Sequence, residues 1–381
     1  MGEMLVQESL PHLEDSRVRT GIYPAQWYAG AIRRGLIISA NEISAAQIQP
    51  ASIDLRLGGT AYRVPTSFLP GRKSSVQTKL DWLAAEKIDL TSGAILKKGH
   101  VYIIRLMESL DLRKRVSAIA NPKSSTGRLD LFARVITDFS TEFDVIAEQY
   151  DGPLWLELAP RSFNVLAREG SRLVQIRVRH GAPRQSEKQL RRLHGEDGVV
   201  RGEEDPDIRA GGIAMSVDIV GDNVSKLIGY KAKKTNKHID VDKVNFYASS
   251  EFWETVIRPD EGGIILKPDD FHILASKETV SVPTDWAAEM VAYDTLVGEF
   301  RVHYAGFFDP GFGYSPNGHS AAKAVLEIRS HEVPFMIEDG QIVGRLMLER
   351  LTERTERPYG SDIGSSYQFQ GLTLSKQFRR S

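Results

Sequence analysis

The sequence predicts a mainly β protein made of two tandem copies of one barrel-like or sandwich-like unit, and two patterns carry that prediction. The first is the form of the apolar runs. They are short, and Gly, Pro or Asp breaks them every few positions, as around residues 52–57, 100–106, 154–158 and 173–178. Many short strands with turn residues between them suit a barrel or sandwich and not alternating βαβ units. The second pattern is an internal repeat at one offset of 170 residues. Gly93-Ala94-Ile95-Leu96-Lys97 answers to Gly263-Ile264-Ile265-Leu266-Lys267, and Glu108 answers to Glu278. Leu156-Glu157-Leu158 answers to Leu326-Glu327-Ile328, and Glu169-Gly170 to Asp339-Gly340. Shared turn chemistry alone would not hold a single ungapped register over so long a stretch.

Taken in order, residues 1–20 mix Glu, Asp, His and Arg and lack the apolar stretch of a secretory signal, so they read as a flexible segment. The first repeat occupies residues 21–180. Its clearest helix is expected at 24–34, with Pro24 early and Gly35 just past the end. A second, short helix is expected at 82–87. Residues 181–212 are rich in Arg, Glu, Asp and Gly and read as a solvated linker with a helical piece at 187–193. The second repeat occupies 213–351, with strands at 271–275 and 324–328 and either a helix or a turn at 284–290. Residues 352–381 are polar and Gly/Ser-rich, a tail that is disordered or ordered only by something it binds.

Composition excludes several functions. Lys plus Arg number 49 against 50 for Asp plus Glu, so a nonspecific nucleic-acid surface is not favoured, although a local cationic pocket remains open. Cysteine is absent, which removes disulfides and thiolate zinc sites, including the Cys/His site of zinc nucleobase deaminases. No apolar run approaches the roughly 20 residues of a membrane span, and the expected compartment is the cytoplasm. The chain has no P-loop, dinucleotide fingerprint, His-Glu-x-x-His or nucleophile elbow. His331 beside Glu332 lacks a second ligand at helical spacing and reads as a surface pair.

Three clusters remain. Pro122-Lys123-Ser124-Ser125-Thr126-Gly127-Arg128 sets two cations around hydroxyls and a glycine, a phosphate cradle or a plain turn. Ala305-Gly306-Phe307-Phe308-Asp309-Pro310-Gly311-Phe312 holds a tight Asp-Pro-Gly turn ahead of the strand with Glu327, and by itself it could be only a hairpin. Residues 366–376 set Tyr367, Gln368, Gln370 and Lys376 in a polar tail, suited to a lid over a nucleotide or to disorder.

Together these clusters resemble the dCTP deaminases of the dUTPase-like superfamily. Gln49-Pro50-Ala51-Ser52-Ile53-Asp54-Leu55-Arg56-Leu57-Gly58 looks like that family's early strand motif. Lys123 to Leu129 looks like its Arg-Ser-Ser-x-x-Arg-Leu motif, and 305–312 like its Ala-Gly-x-Ile-Asp-Pro-Gly-Phe hairpin. Val325-Leu326-Glu327-Ile328 falls where its catalytic glutamate stands, and Arg357-Pro358-Tyr359 with 367–376 resembles its lid. The resemblance implies two dUTPase-like distorted β-barrel or jelly-roll domains and hydrolysis of dCTP at cytosine C4 to dUTP and ammonia, for dUTP and dTTP supply. Glu327 would shuttle protons. Ser125 or Ser124 and the backbone carbonyl near Ala305 would hold the water, and Arg128 would lie near Glu327. Lys123, Ser124, Asp309, Phe312, Tyr359, Tyr367, Gln370 and Lys376 would bind substrate. Mg²⁺ would arrive only with the triphosphate, with no zinc; dTTP would be a feedback inhibitor and the assembly a homo-oligomer.

The motifs depart from the family in their distribution. The hydroxyl motif stands only in the first copy, its partners in the second being Tyr293, Asp294 and Thr295. The hairpin and lid stand only in the second, since 138–143 has neither Pro nor Gly. The copies are therefore expected to divide one site between them. Lys123 replaces the usual Arg, and the stretch from Phe312 to Glu327 is longer than usual. The alternatives are a bifunctional enzyme giving dUMP, a dUTPase using Asp309 to activate water, and a nucleotide-binding regulator without turnover.

Overall fold

The computed structural model describes residues 19–380 apart from 203–205, 223, 293–299, 303–305, 316–321, 331–332 and 361–366. The expected duplication is written in the strand register. Glu157 lies opposite Ile103 and Glu327 opposite Ile273, while Pro122 lies opposite Val174 and Ala292 opposite Gly344. A side-chain period of two makes such a register stringent, because a slip of one residue would turn every core side chain outward. The offset does not hold on every strand: Ala118 pairs with Ile146 but Ala288 with Phe308. Leu55 pairs with Val174 but Met215 with Gly344, because the single strand Ile53–Val64 is divided in the second copy into Gly212–Asp218 and Leu227–Ala232.

Each copy is mainly antiparallel sheet. In the first, Leu131–Thr137, Asp151–Pro160, Val101–Asp111, Ile53–Val64, Arg172–His180 and Val116–Pro122 follow one another across the sheet. In the second, Trp253–Ile257, Leu227–Ala232, Phe271–Val280, Gly212–Asp218, Ile342–Arg350 and Trp286–Ala292 do so, and Ala322–Ser330 pairs with Phe271–Val280. The strands run longer than their apolar runs predict, because both faces are covered and the polar residues at their ends still find ladder partners.

Helix Ala25–Arg33 forms as expected, with Pro24 at its N-cap and Gly35 at φ +70°, where a Cβ would be strained. The second helix does not occupy 82–87. It runs Val76–Trp82, started by the Ser75 hydroxyl accepting from the Thr78 amide, and Glu86–Asp89 is a strand. Residues 284–290 hold no helix: 284–285 turn, with the Trp286 amide donating to the Pro283 carbonyl at 3.1 Å, and the ladder to Ile342–Arg350 makes Trp286–Ala292 a strand.

The segment read as a linker folds into the second copy. Helix Glu187–Asp197 has a capping box between Ser186 and Gln189 and ends at left-handed Gly198. Its Leu190 and Leu193 join the second core, and Val200–Arg201 pairs with Phe271–Val280. Those leucines, three apart on one helical face, outweigh the charged composition around them. No helix among the described residues is long and apolar enough to cross a membrane.

The copies are joined by many contacts. Asn164–Ala167 takes His238–Asp240 as a parallel strand, and the Arg168 guanidinium pairs with Asp240 and Asp242. Phe163 meets Phe252 and Trp253 edge-on, and Arg329 pairs with Asp130 while donating to the Ser162 hydroxyl. The tail departs from a ligand-ordered segment: Phe378 packs on Phe252 and Trp253, and the Gln377 amide donates to the Val241 carbonyl. One aromatic at its end supplies the anchor that its mean composition hides.

Candidate active site

Strand Val116–Pro122 runs into Lys123, which precedes the one-turn helix Ser124–Gly127. The Thr126 hydroxyl donates to the Leu173 carbonyl at 2.7 Å, so this threonine fastens the turn, while Ser125 beside it is buried and its carbonyl accepts from the Ser375 hydroxyl. Arg128 follows at the C-cap and is buried. In the second copy Phe307–Phe308 pairs with Glu289 and Ala288, and Asp309-Pro310-Gly311 turns the chain back. Gly311 stands at φ +95°, and a Cβ there would come within 3.0 Å of the Tyr359 backbone. Tyr359 donates its amide to the Pro310 carbonyl at 2.7 Å, tying the tail to the hairpin.

These elements enclose one cavity of about 290 Å³ between the copies. Lys123, Ser124, Ser125 and Arg128 from the first copy line it, as do Asp309, Phe312, Glu327, Tyr359, Tyr367, Gln370 and Lys376 from the second. Ala305 lies outside the described residues, as do 293–295, Ser366 and the His331–Glu332 pair.

At one end stands Glu327, 5% exposed, with its Oε1 3.9 Å from the Arg128 Nε. Burial pushes its pKa up to about 8, opposed by the Arg128 charge. Arg128 is held from the tail: it donates to the Thr373 carbonyl and Gln370 Oε1, both at 2.9 Å, and stacks 4.0 Å from the Tyr367 ring centre. Its Nε finds no hydrogen-bond partner among the described residues. A carboxyl that titrates near neutrality beside a donor with spare capacity is the arrangement general acid–base chemistry needs.

At the other end Lys123 pairs with Asp54, and Arg172 lies 3.7 Å from the same carboxylate. The pKa of Lys376 is lowered by burial and by the charges of Lys123 and Arg172. Lys123, Arg172 and Lys376 gather positive charge at this end, opposed by Asp54 and Asp242, a setting that suits an anion. Asp309, also buried, has its pKa raised by burial, with Arg177 pulling it back.

Sequence reasoning missed Arg172, Gln175 and Arg177, and it quoted Asp54 and Phe307 only as parts of motifs. The signal was available: Gln175 and Arg177 alternate with Val174, Ile176 and Val178, a polar face on a strand otherwise apolar.

The repeat of Glu327 clarifies what makes the site. Glu157 is buried and does not face solvent as a spare strand residue would. Arg134 pairs with it, donating from Nε at 3.2 Å, and lies 3.4 Å from the Phe143 ring centre. That packing covers the carboxylate where the second copy leaves a cavity.

Comparison with known proteins gives two family matches, the 2'-deoxycytidine 5'-triphosphate deaminase N-terminal domain over residues 19–182 and its C-terminal domain over 186–378. A curated relative from Rhodococcus opacus (strain B4), named dCTP deaminase, dUMP-forming, is 36% identical over 130 residues, 32% of this chain and 65% of the relative. One of the same name from Streptomyces coelicolor is 38% identical over 119 residues, 30% of this chain and 58% of the relative. The chain thus spans less than two thirds of the length of these relatives. A crystal structure of 2'-deoxycytidine 5'-triphosphate deaminase from Agrobacterium tumefaciens is 48% identical, covering 88% of this chain and 99% of that one with a TM-score of 0.83.

Proposed function

The chain belongs to the 2'-deoxycytidine 5'-triphosphate deaminase family, and from that membership we propose that it hydrolyses dCTP at C4 of the base, releasing ammonia and leaving dUTP. The observation that carries this reading is the buried Glu327, its pKa raised to about 8, beside Arg128 and across the cavity from a cationic cluster.

Glu327 as carboxylate takes a proton from water as the water oxygen bonds to C4. It passes that proton to N3, which gives a tetrahedral centre carrying both hydroxyl and amine. The hydroxyl proton then moves by the same carboxyl to the amine, the C4–N bond breaks, and ammonia leaves with a carbonyl in its place. Ser125 and the carbonyl near Ala305 hold the water. Lys123, Arg172 and Lys376 hold the triphosphate, which brings Mg²⁺ as its counterion. dTTP competes for the same cavity, and the protein acts as a homo-oligomer.

A second reading, favoured by the dUMP-forming names of the relatives, adds cleavage of the phosphoanhydride with Asp309 as a candidate base. Incubation with dCTP, with ammonia measured and products separated into dUTP, dUMP and pyrophosphate, tests both. No ammonia rejects the first reading, and dUTP as the lasting product rejects the second.

Protein treated with a chelator and resupplied with Mg²⁺ should release ammonia at full rate, because no thiolate zinc site is available in a chain without Cys; activity restored only by zinc would reject this. With Glu327 starting as base, kcat/KM should rise about tenfold per pH unit from below and level off above pH 8. A profile that falls over that range would mean that the protonated form begins the reaction.

A further inference from the structure

We propose that Arg177 is a positioning residue, through which the first copy holds the hairpin of the second, and Asp309 on it, in the shape that takes substrate. The inference rests on the dCTP reading and extends it to a residue outside the motifs. Arg177 lies in strand Arg172–His180, where Ile176 and Val178 on either side enter the first core. Its own side chain is fully buried and makes its contacts with the second copy. Nη1 donates to the Ala288 carbonyl at 2.9 Å, and Nη2 reaches Asp309 Oδ1 at 3.3 Å and the Phe308 carbonyl at 3.4 Å. The guanidinium lies 4.0 Å from the ring centre of Phe307. Phe307, Phe308, Asp309 and Phe312 all line the cavity.

Stability does not explain such a residue. Two of its hydrogen bonds are long, its Nε has no partner among the described residues, and a buried ion pair exchanged as a whole for hydrophobes is often neutral, whereas loss of Arg177 alone leaves Asp309 buried without its counter-charge. A hydrophobe, however, cannot hold three acceptors in one plane, and a planar guanidinium can. Arg177 also opposes the burial that would neutralise Asp309, and its charge is felt by buried Glu349 as well. Among the described residues it makes no hydrogen bond or ion pair with Glu327 or the 123–128 turn, so its removal should disturb binding more than the chemical step.

The test is a double-mutant cycle of Arg177→Met with Asp309→Asn, with Arg177→Lys as the charge-preserving variant, read as kcat and KM for ammonia release from dCTP. Arg177→Met should raise KM on the order of 10–100-fold with kcat within about fivefold of wild type. In the Asp309→Asn background the same change should add no more than about threefold, since the partner it positions is already lost. Arg177→Lys should recover part of the KM loss but not all, because one ammonium cannot span the three acceptors. Thermal melts check folding; if Arg177→Met does not fold, the cycle is run with Arg177→Lys. Independent, multiplying losses, or a fall in kcat at unchanged KM, would overturn the inference while leaving the deaminase reading intact. A wild-type protein that releases no ammonia from dCTP would instead reject the reading beneath it.

Discussion

Glu327→Gln should lower kcat for ammonia release from dCTP on the order of 10²–10⁴-fold, the usual range for removing a positioned acid–base group. Glutamine keeps the shape and the hydrogen-bonding capacity but cannot accept the water proton or return it to N3 and the amine. KM should change little, since the cations proposed to hold the triphosphate stand at the other end of the cavity. Folding should not suffer. The folded pKa of about 8 lies above that of an unfolded glutamate, so the folded state binds this proton more tightly. The stabilising contribution is therefore fully present below the unfolded value and is lost as pH rises through about 8. The variant should melt at the same temperature as wild type or higher at pH 9, which separates a lost catalytic group from a damaged fold. Glu157→Gln is the internal control: its carboxylate pairs with Arg134 and opens to no described cavity, so kcat should stay within a few-fold. Equal losses in both variants would mean two working sites per chain.

A chain ending after Gly360 should lose deamination more than about 100-fold and should also melt lower. Tyr367, Gln370 and the Thr373 carbonyl are what hold Arg128 against Glu327, so without them the guanidinium swings free and water enters. The loss of Phe378 from the Phe252–Trp253 cluster resembles a large-to-small core change, roughly 3–5 kcal/mol, and should lower Tm by roughly 5–15 °C. Phe378→Ala separates the two effects: it should reproduce most of the melting change and leave a larger share of the activity. A truncated chain that turns over dCTP at the full rate would show that the segment plays no part in the site.

Much of this was legible in the sequence. The repeat offset was enough to align Glu327 with Glu157 before any strand was known, because ladder register preserves spacing. The clusters at 122–128, 305–312 and 366–376 were each ambiguous in isolation, since turn residues and phosphate-binding residues are the same small set. What was misread has a common cause. Average polarity makes residues 181–212 and 352–381 read as linker and tail, whereas a few residues, Leu190, Leu193 and Phe378, decide whether a polar segment docks. The helix expected at 82–87 and the segment 284–290 were misread because local propensity is weaker than the ladder or cap that claims a residue.

By itself, the sequence determined the fold class, the duplication and the identity of the groups that could do chemistry, because alternation, repeat spacing and residue type are local properties of a chain. That Lys123, Arg128, Glu327 and Lys376 share one site it implied only through the family resemblance; it could not determine that a single chain brings them to one cavity, or that Glu157 is covered by Arg134 while Glu327 is left open. Nor could it show that Arg177 turns from its own core toward a hairpin 130 residues away. Those depend on how two copies with nearly the same strands pack against each other, and on the burial that packing imposes. Burial is what moves Glu327 from an ordinary carboxylate to one titrating near 8, and burial is set by long-range contacts that no run of neighbouring residues specifies.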